Sequence, residues 1–319
     1  MGPVPPGKEL EPLEQTAAQV IVVRPTGFGF DPLTAASNGF QKKLADPGMA
    51  RKAEVEFDAL VKALTKCGIG VTVLDPTDPD APDAVFPNNW FSTDSEGRMV
   101  YYPMATASRR RERDLELHRR LMERGFASTD VFDVTHWEAE GHALEGTGSL
   151  VLDRTKRTAY AALSHRTTRE AVEAWCQELG FKPMTFAATM DGKADGQTIY
   201  HTNVMMTIGD GFAVLCAEAI PDLNERHRVA AGLASSGKEL VQINLEQMHG
   251  FAGNILQLRG RKGSFIFLSE RAFKAFDAAQ IHRLGRHGEL VPVPIPTIET
   301  VGGGSIRCML AENFLPLRP

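Results

Sequence analysis

Two segments of the sequence match each other at a fixed internal spacing. Residues 146–166 (GTGSLVLDRTKRTAYAALSHR) and 251–271 (FAGNILQLRGRKGSFIFLSER) each contain an apolar stretch, a polar turn and a second apolar stretch ending in Leu-Ser. Sixteen positions separate Gly148 from Ser164, and the same number separates Gly253 from Ser269. A helical pattern follows each segment. The match predicts a repeated unit made of a β-hairpin and a helix.

Three further units extend the repeat. Looser copies occupy residues 87–114 and 201–226, and a fifth can be formed if the C-terminal GGGSIRCMLAENF pairs with the N-terminal VIVVRP. Residues 47–67 also have helical apolar spacing and precede the strand-like GIGVTVLD. We therefore predict an α/β fold of five units that closes into a ring, because closure removes exposed sheet edges.

The composition is that of a globular chain with a full core. The sequence has 319 residues, is 43% hydrophobic and carries a formal net charge of -5 in mixed charges without long blocks. We expect a flexible N-terminal arm over residues 1–18 and one catalytic domain over residues 19–319. No signal-like or membrane-length apolar run occurs, which predicts a cytoplasmic protein. The mixed charges predict a small-molecule substrate and no nucleic-acid or membrane partner. A homodimer is the possible assembly.

The four cysteines are far apart and form no CxxC pair. This spacing argues against a disulfide framework and against a zinc site, so we expect no metal and no cofactor. Each cysteine has to be judged as a lone thiol.

Equivalent strand ends of the five units should converge near the axis of the ring and form a pocket there. The polar residues predicted to reach it are Asn88, Asn89, Glu145, His201, Asn203, Asn254 and Cys308. A thiol, an imidazole, a carboxylate and amides suit covalent catalysis better than metal binding.

Cys308 is the candidate nucleophile because it follows Gly302-Gly303-Gly304, which lets the backbone approach a ligand closely. A thiolate needs a nearby cation or proton acceptor, and His201 can serve and then protonate a departing amine. Glu145 can orient the imidazole. Spacing alone does not separate His201 from the other histidines near the repeat strands, which are His142, His165 and His249.

Several motifs together resemble a known superfamily. EGTGSLVLD, LSHRTT, YHTNV and the terminal GGGSIRC are similar to the signatures of the penteins, which include arginine deiminase, dimethylarginine hydrolase and amidinotransferase. The similarity covers most of residues 20–315 in the same order. FPNNW, YPM and FAGN most resemble the arginine deiminase-related branch assigned as citrulline-utilisation hydrolases. The resemblance implies a five-bladed α/β propeller.

The resemblance also implies residue roles. Cys308 matches the nucleophile, His201 the general acid and base, and Glu145 its carboxylate partner. Arg166 matches the arginine that holds a substrate carboxylate, for which a bidentate guanidinium is suited. Arg109 matches a second such arginine, although its neighbours Arg110 and Arg111 leave the register open.

Two positions depart from the deiminase pattern. Asn88-Asn89 and Asn203 stand where deiminases carry aspartates against the guanidinium. A guanidinium offers only donors and a positive charge, whereas a ureido group is neutral and has a carbonyl acceptor that an amide complements. We therefore predict hydrolysis of L-citrulline to L-ornithine, carbon dioxide and ammonia. Nearby carboxylates that could replace the missing ones are Asp83, Asp191 and Asp195.

The same residues are compatible with other functions. An arginine or dimethylarginine deiminase-type hydrolase, or an amidinotransferase, would use the same cysteine, histidine and glutamate. A non-catalytic propeller scaffold is disfavoured because it need not keep those three residues. The Gly- and Asp-rich residues 188–196 are the candidate lid over the pocket.

Overall fold

The computed structural model describes residues 13–318 and folds them into five small sheets of three strands each. The strands are β1 Gln19–Val23, β2 Gly70–Leu74, β3 Phe91–Thr93, β4 Arg98–Tyr101, β5 Asp130–Asp133, β6 Val151–Asp153, β7 Thr158–Ala162, β8 Lys182–Phe186, β9 Met206–Ile208, β10 Phe212–Leu215, β11 Glu239–Gln242, β12 Leu256–Gly260, β13 Gly263–Ser269, β14 Glu289–Val293 and β15 Ala311–Asn313.

Eleven α-helices lie within the described chain. They are α1 Pro32–Ala35, α2 Met49–Lys66, α3 Ala107–Arg110, α4 Leu117–Glu123, α5 Gly146–Ser149, α6 Arg169–Leu179, α7 Leu223–Ser235, α8 Leu245–His249, α9 Glu270–Ala275, α10 Ala278–Gly285 and α11 Ile306–Met309. Short 3-10 turns cover Pro87–Asn89, Thr135–Glu140, Thr202–Val204 and Ala217–Ala219, and a π-type turn covers Ile298–Gly302.

All five sheets share one topology. In each, a central strand pairs antiparallel with one neighbour and parallel with the other, as β7 does with β6 and β8. A helix connects the two parallel strands of each unit, because parallel neighbours need a long crossover. The structure is therefore a mixed α/β fold of five similar units, as the repeat predicts.

The fifth unit joins the two ends of the described chain. Strand β15 pairs antiparallel with β1, with Gln19 opposite Asn313 and Ile21 opposite Ala311. Strand β1 in turn pairs parallel with β2. This confirms the predicted pairing of the C-terminal and N-terminal segments.

Helix α2 shows how the units are held together. Phe57, Leu60 and Leu64 lie three to four positions apart and are fully buried in a cluster that includes Val20 and Val22 of β1. This spacing places them on one face of the helix, which covers the sheet. The helix predicted over residues 47–67 is thus confirmed as a helix of a repeat unit.

The N-terminal arm differs from the prediction in its second part. Residues 1–12 lie outside the described residues, but Leu13 and Ala17 are buried, and Gln15 donates hydrogen bonds to the carbonyls of Leu152 and Ile208. Residues 13–18 therefore pack on the domain. The apolar side chains of Leu13 and Ala17 belong to its buried clusters.

The turns before the inner strands are more helical than the repeat suggests. Residues 146–149 form helix α5, and the strand begins only at Val151. The side chain of Ser149 stabilises this turn, because its hydroxyl accepts from the Glu145 amide and donates to the Arg166 carbonyl. Similar short turns precede β3, β9 and β15.

Candidate active site

The short turns before the inner strands bring the predicted site residues together. Asn89 ends the 3-10 turn before β3, Glu145 precedes α5, His201 precedes the 3-10 turn before β9, and Cys308 lies in α11 before β15. Asn254 lies in the turn before β12. The convergence predicted from the repeat is therefore present in the structure.

A small buried cavity forms where these turns meet. Its volume is about 10 Å³, and its lining consists of Asn38, Asp83, Phe86, Asn89, Arg109, Arg166, Tyr200, His201, Gly302, Gly303, Gly304 and Cys308. Five of these residues were predicted from the sequence for such a pocket. These five residues bring a thiol, an imidazole, an amide and two guanidinium groups to the cavity.

Cys308 is positioned by the glycine-rich segment before it. Gly303 has a φ of +64°, in the left-handed region that favours glycine, and its carbonyl accepts from the Tyr200 hydroxyl at 2.7 Å. A Cβ on Gly304 would lie 2.8 Å from the Phe86 ring. The segment therefore turns tightly against Phe86 and starts the helical turn that carries the thiol.

Two amide groups point at the Cys308 sulfur. Asn203 Nδ2 lies 3.4 Å and Asn254 Nδ2 lies 3.3 Å from Sγ. Asn254 Oδ1 also accepts from the Arg307 backbone amide at 3.0 Å, which fixes the orientation of its side chain. Both N–H donors stabilise negative charge on the sulfur.

His201 and Glu145 form a buried pair. His201 Nε2 lies 2.7 Å from Glu145 Oε2, and the other carboxylate oxygen accepts from the Ala105 amide. Burial alone would raise the pKa of Glu145, but Arg166, the hydrogen bond from His201 and Arg109 outweigh it and hold this pKa well below its ordinary range. Glu145 is therefore ionised and accepts the Nε2 proton.

Burial lowers the pKa of His201 to about 4, although Glu145 opposes this shift. The imidazole is therefore neutral near pH 7. With Nε2 protonated toward Glu145, Nδ1 is left as the basic nitrogen. This is the state required of a group that first accepts a proton and then returns it.

Two buried arginines lie at the cavity. Arg166 is 1% exposed, donates to the Ser37 hydroxyl and the Thr34 carbonyl, and lies 3.5 Å from Glu145 Oε2. Arg109 is 2% exposed and donates from Nε to Glu112 Oε1 at 2.5 Å. Both retain positive charge inside the protein.

The structure selects Arg109 from the three consecutive arginines. Arg110 pairs with Glu138, and Arg111 pairs with Asp78 at the surface. Arg109 alone among the three lines the cavity, and its Nη2 donates to Asn89 Oδ1 at 3.1 Å. Arg109 is therefore the one of the three that can contact a ligand in the cavity.

Asn88 does not reach the cavity and departs from its predicted place. Its Nδ2 donates to Thr147 Oγ1 at 3.3 Å, so the side chain points between two neighbouring turns. Consecutive residues in a 3-10 turn project in different directions, and Asn89 takes the cavity position.

Asp83 is the carboxylate at the cavity, whereas Asp191 and Asp195 are exposed. Asp83 Oδ2 accepts from the Thr34 hydroxyl at 3.0 Å, and Oδ1 has no partner within residues 13–318. Burial raises the pKa of Asp83 to about 6, against the opposing effect of Arg109. The predicted lid, residues 188–196, contributes no side chain to the cavity lining.

A comparison with protein families identifies the chain. The model for N,N dimethylarginine dimethylhydrolase, eukaryotic, matches residues 24–315. The chain belongs to this dimethylarginine dimethylhydrolase family. No curated protein matches the sequence.

Solved structures with the same fold include two larger proteins. ArgZ, an arginine dihydrolase from the ornithine-ammonia cycle in Cyanobacteria, matches with TM-score 0.70 and 15% identity over 94% of this chain and 41% of that chain. AgrE in complex with ornithine and NAD+ matches with TM-score 0.69 and 17% identity over 94% and 40%. The chain therefore spans about two fifths of the length of these proteins.

A third structure, dimethylarginine dimethylaminohydrolase as an adduct with S-methyl-L-thiocitrulline, matches with TM-score 0.65 and 17% identity over 93% of this chain and 100% of that chain. At these identities the matches show the fold, which is that of the pentein enzymes.

Sequence reasoning missed part of this site. Asn38, Phe86 and Tyr200 line the cavity without having been predicted. The position of Tyr200 directly before His201 was a usable signal. Asn38 lies in an irregular segment outside the repeat and gave none. Within the described chain, no group of three or more histidine, cysteine or acidic side chains could hold a metal ion, and no helix is both long and apolar enough to span a bilayer.

Proposed function

We propose that this protein is a cysteine-dependent hydrolase of a carbon-nitrogen bond in a ureido amino acid, with L-citrulline as substrate. The single observation that carries the choice of a ureido group is the free amide nitrogen of Asn89 in the cavity. The family match supports the wider class of enzymes that act on the side-chain carbon of arginine derivatives.

The two arginines and Asp83 suit the head group of an amino acid. Arg109 and Arg166 offer guanidinium donors for an α-carboxylate. Asp83 is bonded to Thr34, whose carbonyl accepts from Arg166 Nη2 at 2.8 Å, so the carboxylate lies on the arginine side of the cavity. Its unpaired Oδ1 is available to an α-ammonium group.

Asn89 favours a ureido over a guanidino group. Its Oδ1 accepts from Arg109, which assigns the amide orientation, and its Nδ2 is buried without a partner among the described residues. A buried donor needs an acceptor. The carbonyl oxygen of citrulline can provide one, whereas a guanidinium has donors only.

Asn203, beside the Cys308 thiol, offers a complementary acceptor. Its Nδ2 donates to Cys308 Sγ, and its Oδ1 has no partner within the described part of the chain. This oxygen can accept from the terminal NH2 of a ureido group. Two amides with one free donor and one free acceptor match the polar edge of a neutral ureido group.

The chemistry follows from the positions of the thiol and the imidazole. Cys308 Sγ adds to the ureido carbon, and His201 Nδ1 takes the thiol proton and delivers it to the departing ornithine amine. The S-carbamoyl intermediate then reacts with water activated by His201. This step restores Cys308 and releases carbamate, which breaks down to carbon dioxide and ammonia.

Asp83 also favours a second candidate, hydrolysis of arginine or dimethylarginine. A carboxylate with an unpaired oxygen in the cavity could face a guanidinium instead of an α-ammonium group. The name of the matching family supports this candidate. In the first candidate Asn89 contacts the ureido group of citrulline, and in the second it contacts the guanidinium group of arginine or dimethylarginine.

The test is a product assay on purified protein given citrulline, arginine or asymmetric dimethylarginine. We expect ornithine and ammonia from citrulline, with loss of both in Cys308→Ala and normal rates in Cys67→Ala, a half-buried thiol outside the cavity. Citrulline formed from arginine or dimethylarginine would instead support the second candidate. No product from any of the three would refute both.

We further propose that the five units surround a common axis as the blades of a propeller within one domain over residues 19–319. The packing of the 3-10 turn at residues 87–89 against both α5 and α11 supports this arrangement. Cytoplasmic location, homodimer formation and chemistry without a metal or cofactor stay predictions from the sequence.

A further inference from the structure

A second cavity lies beside the inner strands of four units. Its volume is about 20 Å³, and its lining consists of Gln15, Thr147, Val151, Leu152, Arg154, Thr207, Ile208, Leu256, Arg307 and Glu312. None of these residues lines the cavity at Cys308. The two sites are nevertheless close, because Arg307 directly precedes Cys308.

The charges at this second cavity are unbalanced. The guanidinium groups of Arg154 and Arg307 are 4% and 7% exposed, and both approach the same carboxylate oxygen, Glu312 Oε2, at 3.6 Å and 2.8 Å. Among the lining residues, two positive charges thus face one negative charge. A buried charge without a full counter-charge is costly, so the site favours one more anion.

Arg154 has the donors that such an anion would use. Its guanidinium lies over the Phe314 ring at 4.3 Å and makes no hydrogen bond to any residue of the described chain. Arg307 is better satisfied, since Nη1 donates to the Leu310 carbonyl and Nη2 to Glu312. The free N–H groups at the cavity therefore belong mainly to Arg154.

The remaining polar side chains at the cavity are already occupied. Gln15 uses its amide nitrogen on two strand carbonyls and its oxygen on the Arg154 backbone amide. Thr207 donates its hydroxyl proton to the Ile255 carbonyl. Neither can neutralise the extra positive charge.

We propose that this cavity binds a small inorganic anion of the chloride type, held by Arg154 with support from Arg307. The anion completes the charge balance of the buried pair and braces the strand-and-turn segment that carries Cys308. It is a structural ligand and takes no part in the bond-breaking steps. The proposal does not rest on the identity of the substrate.

The direct test is a crystal of the protein over residues 1–319 grown in sodium bromide, with data collected at the bromine absorption edge. We expect an anomalous peak within hydrogen-bond distance of Arg154. A parallel measurement compares melting temperature in sodium chloride and sodium gluconate at equal ionic strength, where gluconate is too large for the cavity. Chloride at about ten times its dissociation constant should raise the melting temperature by roughly 2 °C or more.

Arg154→Met and Arg259→Met are the matched variants. Arg259 is exposed and pairs with Glu14, so its variant should keep the chloride effect. Arg154→Met keeps side-chain length without the charge, and its melting temperature should no longer differ between the two salts. If this variant fails to fold, the anomalous map of the unmodified protein still decides the matter.

The proposal is overturned if the bromide map shows no peak at Arg154, or if chloride stabilises Arg154→Met as much as the unmodified protein. Glu9 and Glu11 are acidic residues that precede Leu13 in the sequence and lie outside the described residues. Loss of stability in the double variant Glu9→Gln, Glu11→Gln, together with an empty bromide map, would assign the counter-charge to that segment instead.

Discussion

Asn89 is the residue at which substrate choice can be tested most directly. Asn89→Asp has the same shape and keeps an acceptor for Arg109, but it replaces the free Nδ2 donor by a second acceptor. We expect kcat/KM for citrulline to fall by about 10- to 100-fold, because a buried polar contact is lost, while activity on arginine rises. Product analysis with both substrates measures the ratio.

The neighbouring Asn88→Asp is the control for this change. Asn88 has the same chemistry but bonds to Thr147 away from the cavity. It should leave the preference between citrulline and arginine unchanged. Equal effects of the two variants on this preference would mean that the amide of Asn89 does not discriminate between a ureido and a guanidino group.

The raised pKa of Asp83 predicts that kcat/KM for citrulline falls at acidic pH, in a single titration step. Its pKa is raised to about 6 by burial, so it is charged above pH 6 and neutral below. If the charged form binds the α-ammonium group, kcat/KM for citrulline is constant from pH 7 to 8 and falls about tenfold for each unit below pH 6. His201, with a pKa of about 4, stays neutral through most of this range.

Asp83→Asn should remove this titration step and lower kcat/KM at pH 8 by about 10- to 100-fold, through loss of a charge-assisted hydrogen bond. The measurement is kcat/KM for both proteins from pH 5 to 8. A titration step near pH 6 that persists in the variant would assign the titration to another group.

Whether a site residue could be predicted from the sequence depends on whether it lies at a repeat position. Cys308, His201 and Glu145 lie at equivalent turns, so the repeat places them at the pocket, and the motif resemblance selects His201 from the other histidines. Asn38 and Asp83 lie in irregular segments between units, where no period fixes the direction of a side chain. Only the folded chain shows that these segments cover the cavity.

At the scale of elements, Gly148 of helix α5 allows the Asn89 and His201 side chains to pack closely against the helix. A Cβ on Gly148 would lie 2.4 Å from Asn89 Nδ2 and 2.8 Å from His201 Nδ1. Gly148→Ala should therefore displace both side chains and lower kcat by on the order of 100-fold. Circular dichroism is expected to show a folded protein, since the contacts are with side chains.

Gly285→Ala is the matched control. Gly285 ends α10, and the nearest atom to an added Cβ is Leu290 Cδ1 at 3.8 Å, an ordinary contact. This variant should keep full activity and equal or slightly higher stability. A Gly148→Ala protein as active as Gly285→Ala would show that the turn has room to adjust.

The repeat predicted hairpins and helices well but not their boundaries. The helical pattern over residues 272–283 proves to be two helices, α9 and α10, separated at Phe276 and Asp277. Asp277 caps α10 by accepting from the Gln280 amide, and this local bond competes with a continuous helix. The spacing of apolar residues continues through such a break, so this spacing does not indicate where one helix ends and the next begins.

At the scale of the whole molecule, the fifth sheet brings the two ends of the described chain together. Strands β15, β1 and β2 join residues 311–313 to residues 19–23, so the turn that carries Cys308 depends on contacts made by the other end of the described chain. The repeat predicted this pairing once a fifth unit was formed from both ends of the sequence. The depth of burial of the charged groups around Cys308 did not follow from it.

That burial predicts how stability depends on pH. His201 has a pKa of about 4 in the folded protein and about 6.5 when unfolded. As pH falls below 6.5 the unfolded state therefore binds the proton first, and stability is lost progressively down to pH 4, by roughly 3 kcal/mol from this residue. Asp83 acts in the opposite direction below pH 6, because its folded pKa is raised.

Comparison with His201→Gln isolates the histidine, since the contribution of Asp83 is common to both proteins. Gln can still donate to Glu145 but does not titrate. We expect the unfolding free energy of the unmodified protein, relative to the variant, to fall between pH 7 and pH 4 in urea titrations. If the difference between the two proteins is the same at both pH values, His201 is not held neutral by the fold, and the proposed role of its Nδ1 as a base at neutral pH loses its physical basis.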